Sequence, residues 1–439
     1  MTGAEIGLTL FALLMTLIAL RVPIGVAMLS AGMVGFVWLN GWQPLIGYLK
    51  TAPYYRFSTY EMSVLPLFLL MGQFATHSGL SKALFAVANL VLGRFRGGIA
   101  MAAIGGSAAF GAICGSSLAT AATMGQVALP EMRRYGYSGA LATATVAAGG
   151  TLGILIPPSV VLVVYALLTE QSIGKLFVAA LIPGLIAAAG YIVVVAIYAR
   201  VSPTAGPAAP PEARRVDRAG VGRALAVAAI FTIVIGGIYS GRFTPTEGAA
   251  VGAFLTGAMM VAVGAMSWRA LIDSLLATAQ STAMIFLILF GAEVFNAALA
   301  LTQVPADAAR WVSGLDLAPV AVVVAILLIY LALGCVMDSL SMILLTIPVF
   351  FPIVIGLDFG MSVEDVAIWF GILSLIAVEV GLITPPVGLN AFIINGLARD
   401  VPLTETFRGL LPFLASDIVR VALLVSFPAI SLVLPRWLG

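Results

Sequence analysis

Apolar runs of the length that crosses a bilayer as a helix, about 20 residues, recur from one end of this chain to the other. Read against proline, glycine and charge punctuation, they give crossings near residues 5–20, 23–40, 62–76, 138–170, 175–199, 221–241, 246–267, 274–298, 363–397 and 404–434. The composition agrees: 62% hydrophobic residues, 9% charged residues and a mean hydropathy of +1.13 exclude a soluble globule. The runs do not alternate polar and apolar positions, which excludes a transmembrane β-barrel. A net charge of +2 with dispersed basic residues excludes nucleic acid as a partner. The first run, Ile6 to Leu20, follows an acidic residue and precedes no small-residue cleavage pattern, so it reads as a span rather than a signal peptide. Cys114 and Cys335 stand in apolar stretches without metal-ligand spacing and read as packing residues.

Two further stretches, about 98–132 and 318–355, are apolar but carry Gly, Ser or Asp at their middles. They read as re-entrant hairpins, because non-helical backbone at membrane depth persists only where protein or a water-filled cavity satisfies it. One long polar segment, Arg200 to Arg223, rich in Pro, Ala and Arg, reads as a linker between two halves. Placed in the cytoplasm, it puts Arg94, Arg96, Arg133, Arg134, Arg214, Arg215, Arg218, Arg269 and Arg399 inside, as the positive-inside rule requires. Both termini then lie outside, and the two hairpins enter from opposite faces.

The halves resemble each other. LGILIPPSVVLVVYALLTEQSIGKLFVAALIPGL from Leu152 lines up with VGLITPPVGLNAFIINGLARDVPLTETFRGLLPFL from Val380. PLFLLMG ending at Gly72 matches IFLILFG ending at Gly291, and CGSSLAT at Cys114 lies opposite CVMDSLS at Cys335. An odd number of crossings separates equivalent points, so the second copy stands upside down. The expected architecture is an all-α membrane protein of about ten transmembrane helices plus two re-entrant hairpins in two inverted-topology repeats. N-terminal scaffold helices take 1–60, the first repeat 61–200, the linker 201–220 and the second repeat 221–439. Inverted repeats with helices interrupted at matching places point to a transporter and to its binding site.

Candidate chemistry concentrates at the hairpin middles and the proline pairs. CGSSLATAATM at Cys114–Met124 reads either as close helix packing by small residues or as a hairpin tip. At a tip, exposed carbonyls and the Ser116, Ser117 and Thr120 hydroxyls suit a cation, and a helix N-terminus suits an anion. The opposite copy substitutes Asp338, Ser339 and Ser341. A carboxylate in an apolar stretch is retained when it pairs or serves a pathway, so Asp338 is the first candidate for a sodium ligand; its bland reading is a helix cap. Pro157-Pro158 and Pro385-Pro386 must each interrupt a helix, since proline lacks the N–H and clashes with the preceding turn. The carbonyls freed near Gly149, Gly150, Thr151 and Gly153, and near Gly381 and Thr384 with Asn390 following, complete two oxygen cages facing the tips; plain kinks are the alternative. Pro157 and Asn390 join Ser116, Ser117 and Thr120 as candidates for contact with an organic anion. Asp417 and Arg420, three apart, read as an intrahelical pair, Glu293 and Glu379 as candidate proton relays, and the sole histidine, His77, as surface decoration. Without a base beside the serines or a mate for Asp338, an intramembrane hydrolase is disfavoured.

These residues resemble the large membrane subunit of tripartite ATP-independent periplasmic (TRAP) transporters, in the ion-transporter superfamily. The matching stretches are GSSLATAATMGQVALPEMRRYGY, GTLGILIPPSVVLVVYALL, GRFTPTEGAAVGAF, MDSLSMILLTIPVFFPIV and GLITPPVGLNAFIINGLA, in that order. The resemblance implies an elevator-type secondary transporter of the bacterial inner membrane, with a scaffold and a mobile region containing both hairpins, driven by sodium. It implies sodium sites at Ser116, Ser117, Thr120, Gly150, Thr151, Asp338, Ser339, Ser341, Thr384 and Pro385. It also implies two partners: a small four-helix membrane subunit, expected as a separate polypeptide, and a soluble periplasmic substrate-binding protein. The alternative is a stand-alone symporter of the same superfamily. Thr244, Thr246 and Glu247, in the FTPTE turn, are expected to shape a helix start.

Overall fold

Lipid cannot satisfy backbone N–H and C=O groups, so long apolar runs close their hydrogen bonds within themselves. The computed structural model describes residues 2–208, 218–314 and 317–438, and over these the chain is almost entirely helical. In order the helices are α1 (Gly3–Ala19), α2 (Ile24–Asn40), α3 (Trp42–Phe57), α4 (Val64–His77), α5 (Leu80–Leu92), α6 (Gly98–Cys114), α7 (Ser117–Arg134), α8 (Gly139–Leu155), α9 (Val160–Thr169) and α10 (Ile173–Val201). There follow α11 (Arg218–Tyr239), α12 (Pro245–Ala262), α13 (Trp268–Thr302), α14 (Val304–Ser313), α15 (Pro319–Gly334), α16 (Ser339–Ile355), α17 (Val363–Gly381), α18 (Leu389–Leu397), α19 (Leu403–Ser426) and α20 (Ala429–Leu438).

The expected runs are present, but several are cut into shorter pieces. By length and composition alone, four helices among the described residues are long and apolar enough to cross: Ile173–Val201, Ala219–Tyr239, Trp268–Thr302 and Leu403–Ser426. A fifth is α8 with α9, bent by 40° at the break. The run at 363–397 divides into α17 and α18, and the run at 404–434 divides at Phe427 and Pro428, where the helix ladder is interrupted. α1 and α2 have 17 residues each, a rise of about 25 Å against a hydrocarbon core of about 30 Å. The run at 274–298 is the middle of the 35-residue α13. Helices α3 and α5, 16 and 13 residues long, were not singled out by hydropathy runs. Residues 209–217 of the linker, with Arg214 and Arg215, lie outside the described residues.

Close helix packing joins α2 to α13: a methyl on Gly291 would sit 2.4 Å from the Gly25 carbonyl oxygen. α3 is pinned to the same pair, its Arg56 Nε 3.5 Å from Glu293 Oε2 and its Tyr48 hydroxyl donating to Glu293 Oε1 at 3.4 Å. Burial first, then the Glu293 carboxylate, pushes the Tyr48 phenol up to about 12, so it remains a donor at neutral pH. The FTPTE turn is a capping box. The Thr244 hydroxyl accepts from Glu247 N at 3.2 Å, and Glu247 Oε2 accepts from Thr244 N at 2.8 Å, starting α12 as expected.

Helices α6 and α7 form a hairpin whose open ends lie on one face. Gly97 N, before α6, donates to Gly206 O at 3.1 Å, and Ser138 N, after α7, donates to Ala205 O at 3.0 Å. The start of the linker thus lies across both ends of the hairpin, on the face that charge assigns to the cytoplasm.

Candidate functional site

The tip of the first hairpin is set by two residues. Gly115 ends α6 with φ +63°, a left-handed conformation that costs glycine nothing. Ser116 then caps α7, its hydroxyl accepting from Ala119 N at 3.4 Å. Any side chain at Gly115 would strike the first break, since its Cβ would lie 2.8 Å from the Pro158 carbonyl oxygen. That break runs from Ile156 to Ser159, and Ser159 starts α9 by accepting from Leu162 N at 3.3 Å. Tip and break are therefore in contact, with Ser117, Thr120, Thr151, Pro157 and Ser159 all buried.

Behind the tip, α7 lies against α8 so closely that a methyl on Gly153 would meet Thr120 Oγ1 at 2.4 Å and the Ser116 carbonyl oxygen at 2.6 Å. Gly150 likewise lies against Ala121. Thr120 Oγ1 is fully buried and makes no hydrogen bond to an oxygen or nitrogen, its polar neighbour being the Cys114 thiol. A buried hydroxyl oxygen beside a backbone carbonyl is a donor set that a hard cation takes. Thr151 is nearby in sequence but directed elsewhere: its hydroxyl donates to Ala148 O at 2.7 Å and lies 3.4 Å from the Tyr191 hydroxyl.

The second half repeats the arrangement with different side chains. α15 ends at Gly334, and Asp338 caps α16, one carboxylate oxygen accepting from Leu340 N and Ser341 N, both at 3.1 Å. Asp338 thus stands where Ser116 stands, as an N-cap, with Ser339 and Ser341 buried in the first turn. The second break spans 382–388, and Gly388 N reaches back to the Cys335 carbonyl at 3.2 Å, tying break to tip. Thr384 Oγ1 donates to Val380 O at 2.6 Å. Pro385 and Pro386 are exposed, whereas Pro157 and Pro158 are buried, so the two breaks are not equally covered. Cys114 and Cys335 are free and buried.

The halves exchange their broken ends. α18 packs on α7 and α8, and α9 packs on α16 and α17. Asn390, the first polar side chain of α18, is fully buried; its amide donates to Ala147 O of α8 at 3.3 Å, and its carbonyl oxygen is unpaired. Asn390 therefore belongs to the first hairpin's surroundings although it lies in the second half. Beside the second tip, a cavity of about 430 Å³ is bounded by Val336, Met337, Asp338, Ser341 and Leu389 on one side. Ile24 and Gly25 of α2, with Met284, Leu287 and Ile288 of α13, close the other side.

Sequence reading missed one assembly. Arg420 does bond Asp417 within α19 at 2.8 Å, as expected, but Glu379 of α17 approaches it at 3.4 Å and the Tyr191 hydroxyl of α10 donates to Asp417 at 2.9 Å. The only available signal was four polar residues in apolar context, and nothing in their spacing joins three helices. His77 is exposed at the end of α4, its Nδ1 3.0 Å from Gln73 O.

The family described as tripartite ATP-independent periplasmic transporter, DctM component, matches residues 11–430. The chain belongs to this family. A C4-dicarboxylate TRAP transporter large permease protein of Pseudomonas aeruginosa is 40% identical over 381 residues, covering 87% of each chain. A sialic acid TRAP transporter large permease protein of Vibrio cholerae is 30% identical over 380 residues, covering 86% of each. The crystal structure of the Alcanivorax borkumensis YdaH transporter superposes with a TM-score of 0.64 at 15% identity, covering 94% of this chain and 96% of that one, a likeness of fold. The protein is thus a TRAP large permease of the bacterial inner membrane, a multi-pass transport component whose relatives are permeases rather than enzymes.

Proposed function

We propose that this permease imports a small organic anion, a carboxylate or sulfonate, by symport with sodium. Its hairpins and broken helices form the mobile body of an elevator, and the two halves are inverted repeats. The observation that carries the proposal is the reciprocal packing at the breaks: each tip contacts the break of its own half, and its second arm packs on the broken end from the other half. Such a unit brings capped helix N-termini, freed carbonyls and the buried Thr120 oxygen together without a large polar lining.

Sodium is assigned to the oxygens of Ser116, Ser117, Thr120 and Gly150 at the first break, without the Thr151 hydroxyl, which is turned to Ala148 and Tyr191, and to those of Asp338, Ser339, Ser341, Thr384 and Pro385 at the second. The anion is assigned to Ser116, Ser117, Thr120, Pro157 and Asn390, where the positive end of α7 offers amide N–H groups. A bound cation next to those amides favours the anion, and the anion favours the cation by the same factor. The cavity between the second tip and α2 with α13 gives the mobile body a loosely filled boundary with the scaffold. Two relatives named for C4-dicarboxylate and sialic acid support a carboxylate cargo. The partners are a small four-helix membrane subunit and a periplasmic binding protein, as family membership suggests.

The test is uptake into proteoliposomes that contain all three components. An inward sodium gradient is expected to drive accumulation. Transport that ignores the gradient ends the coupling claim, and uptake by the large subunit alone favours a stand-alone symporter.

A further inference from the structure

One face of α7 is uncovered from the hairpin tip to the cytoplasmic end. The helix packs on α5, α6, α8 and α18, which bury Ser117, Thr120, Met124, Ala128 and Met132. The remaining face carries Ser116, Ala119, Thr123, Gln126, Pro130 and Arg134, spaced by three or four residues and so standing in one row. The row is half-buried near the tip and exposed at Gln126, Pro130 and Arg134. A helix face turned to hydrocarbon is apolar, because an amide or hydroxyl without a partner is costly there. Thr123 and Gln126, lying between Ser116 and Arg134, instead give this row the composition of a water-lined face.

The row ends in a cleft of about 440 Å³ between α5 and α7, lined by Lys82 of α5, by Gln126, Glu131 and Arg134 of α7, and by Tyr135 just beyond it. Arg134 stands 5.5 Å from the Tyr135 ring centroid, and its neighbour Arg133 is taken by Asp400. Lys82, Glu131 and Arg134 form no ion pair among the described residues. Two cations thus share the cleft with one carboxylate, and its net charge is positive. The positive-inside rule explains basic residues on this face. It does not explain why cations from two helices line one cavity at the end of a polar row. Helix electrostatics supply a reason: an anion that leaves the N-terminus of α7 along this face moves toward the negative end of the helix dipole. Lys82 and Arg134 offset that repulsion where the helix ends.

We propose that the α5–α7 cleft is a release site for the transported organic anion, held there by Lys82 and Arg134 after it leaves the first tip and before it enters the cytoplasm. The Gln126 amide, midway along the row, offers a donor to the same carboxylate or sulfonate. The proposal rests on the reading that the anion binds at the N-terminus of α7, and it adds a second station on the same helix.

The experiment measures modification of a Gln126→Cys permease, full-length and in nanodiscs, by two water-soluble thiol reagents of opposite charge: sulfonatoethyl and trimethylammonioethyl methanethiosulfonate. The native Cys114 and Cys335 are buried, and the wild-type protein gives their background rate. Both reagents are expected to react, and adding Lys82→Gln and Arg134→Gln is expected to lower the ratio of sulfonate to ammonium rates by about tenfold. Both charges are exposed, so their removal leaves the fold intact. A Gln126→Cys thiol inert to both reagents would place the row against lipid and overturn the proposal, as would an unchanged ratio without the two charges. In proteoliposomes with the partner proteins, the Lys82→Gln/Arg134→Gln form is expected to take up the anion several-fold more slowly at saturation; an unchanged maximal rate would remove the cleft from the release route. Ser116→Asp separates this proposal from the reading beneath it. Uptake that survives Ser116→Asp while the charge-dependent ratio holds would end the tip assignment and keep the cleft as an anion site; uptake lost in Ser116→Asp with a ratio indifferent to Lys82 and Arg134 would keep the tip and end the cleft.

Discussion

Replacing Gly153 by alanine tests the first oxygen cage most directly. The added methyl would lie 2.4 Å from Thr120 Oγ1, 2.6 Å from the Ser116 carbonyl oxygen and 2.9 Å from Thr120 Cβ. These distances are far inside contact, and two of the three atoms belong to the group proposed to hold sodium. The Thr120 side chain is fully buried and the Ser116 carbonyl is backbone, so neither has a free direction in which to yield. The tip must lift from α8. Overpacking of a closed core costs about 1–3 kcal/mol, and if that cost falls on the cation-bound arrangement the sodium half-saturation of uptake rises by roughly 5- to 150-fold. The assay is the sodium dependence of uptake in proteoliposomes at saturating anion, with thermal unfolding in parallel to separate a general loss of stability. A normal half-saturation constant in a folded Gly153→Ala protein would refute the placement of the cation between α7 and α8.

The Ser116/Ser117 double alanine form is expected to lower sodium affinity without preventing folding; an unchanged sodium titration rejects both hydroxyls as ligands. Asp338→Asn keeps a good N-cap but removes the charge, so it is expected to weaken sodium affinity while leaving the melting temperature near wild type, and Asp338→Ala to lower both. Sodium dependence intact in Asp338→Asn would leave Asp338 as a cap only. Arg420→Met strands two buried carboxylates and is expected to cost roughly 3–5 kcal/mol, read as a large drop in melting temperature; a small drop would show that the carboxylates are already compensated. Thr244→Ala removes one side of the capping box at the start of α12 and is expected to cost about 1 kcal/mol with uptake per folded molecule unchanged, measured by denaturation and transport on the same preparation.

The membrane class and the positions of both breaks were legible in the sequence because each rests on a local rule: apolar length, and the missing N–H of Pro157, Pro158, Pro385 and Pro386. Two N-caps were legible too, Thr244 in the FTPTE turn and Asp338 as the alternative to a sodium ligand, whereas the capping roles of Ser116 and Ser159 were not. The lengths of the pieces were not. Hydropathy runs straight through Phe427 and across the junction of α8 with α9, because the residues at a break are as apolar as the helices beside it. The exchange of broken ends was also hidden. Nothing near Asn390 indicates that its amide will meet Ala147 of the other half, and nothing near Glu379 indicates Arg420 or Tyr191, because those contacts are set by how four helices pack.

The two tips have the same construction and opposite electrostatics. Each begins a helix with a side-chain oxygen accepting backbone N–H groups, but the first uses a neutral serine and the second a carboxylate. A neutral cap leaves the positive end of α7 uncompensated, which favours an anion there; the Asp338 carboxylate cancels the positive end of α16 and leaves that tip better suited to a cation. Burial points the same way: Pro157 and Pro158 are enclosed around the first tip, where an anion bound through amides gains most from exclusion of water, while Pro385 and Pro386 are exposed beside the charged tip. On this account Ser116→Asp, which makes the first tip like the second, is expected to abolish anion uptake while sodium binding persists; anion uptake surviving that change would mean the substrate does not use the α7 N-terminus.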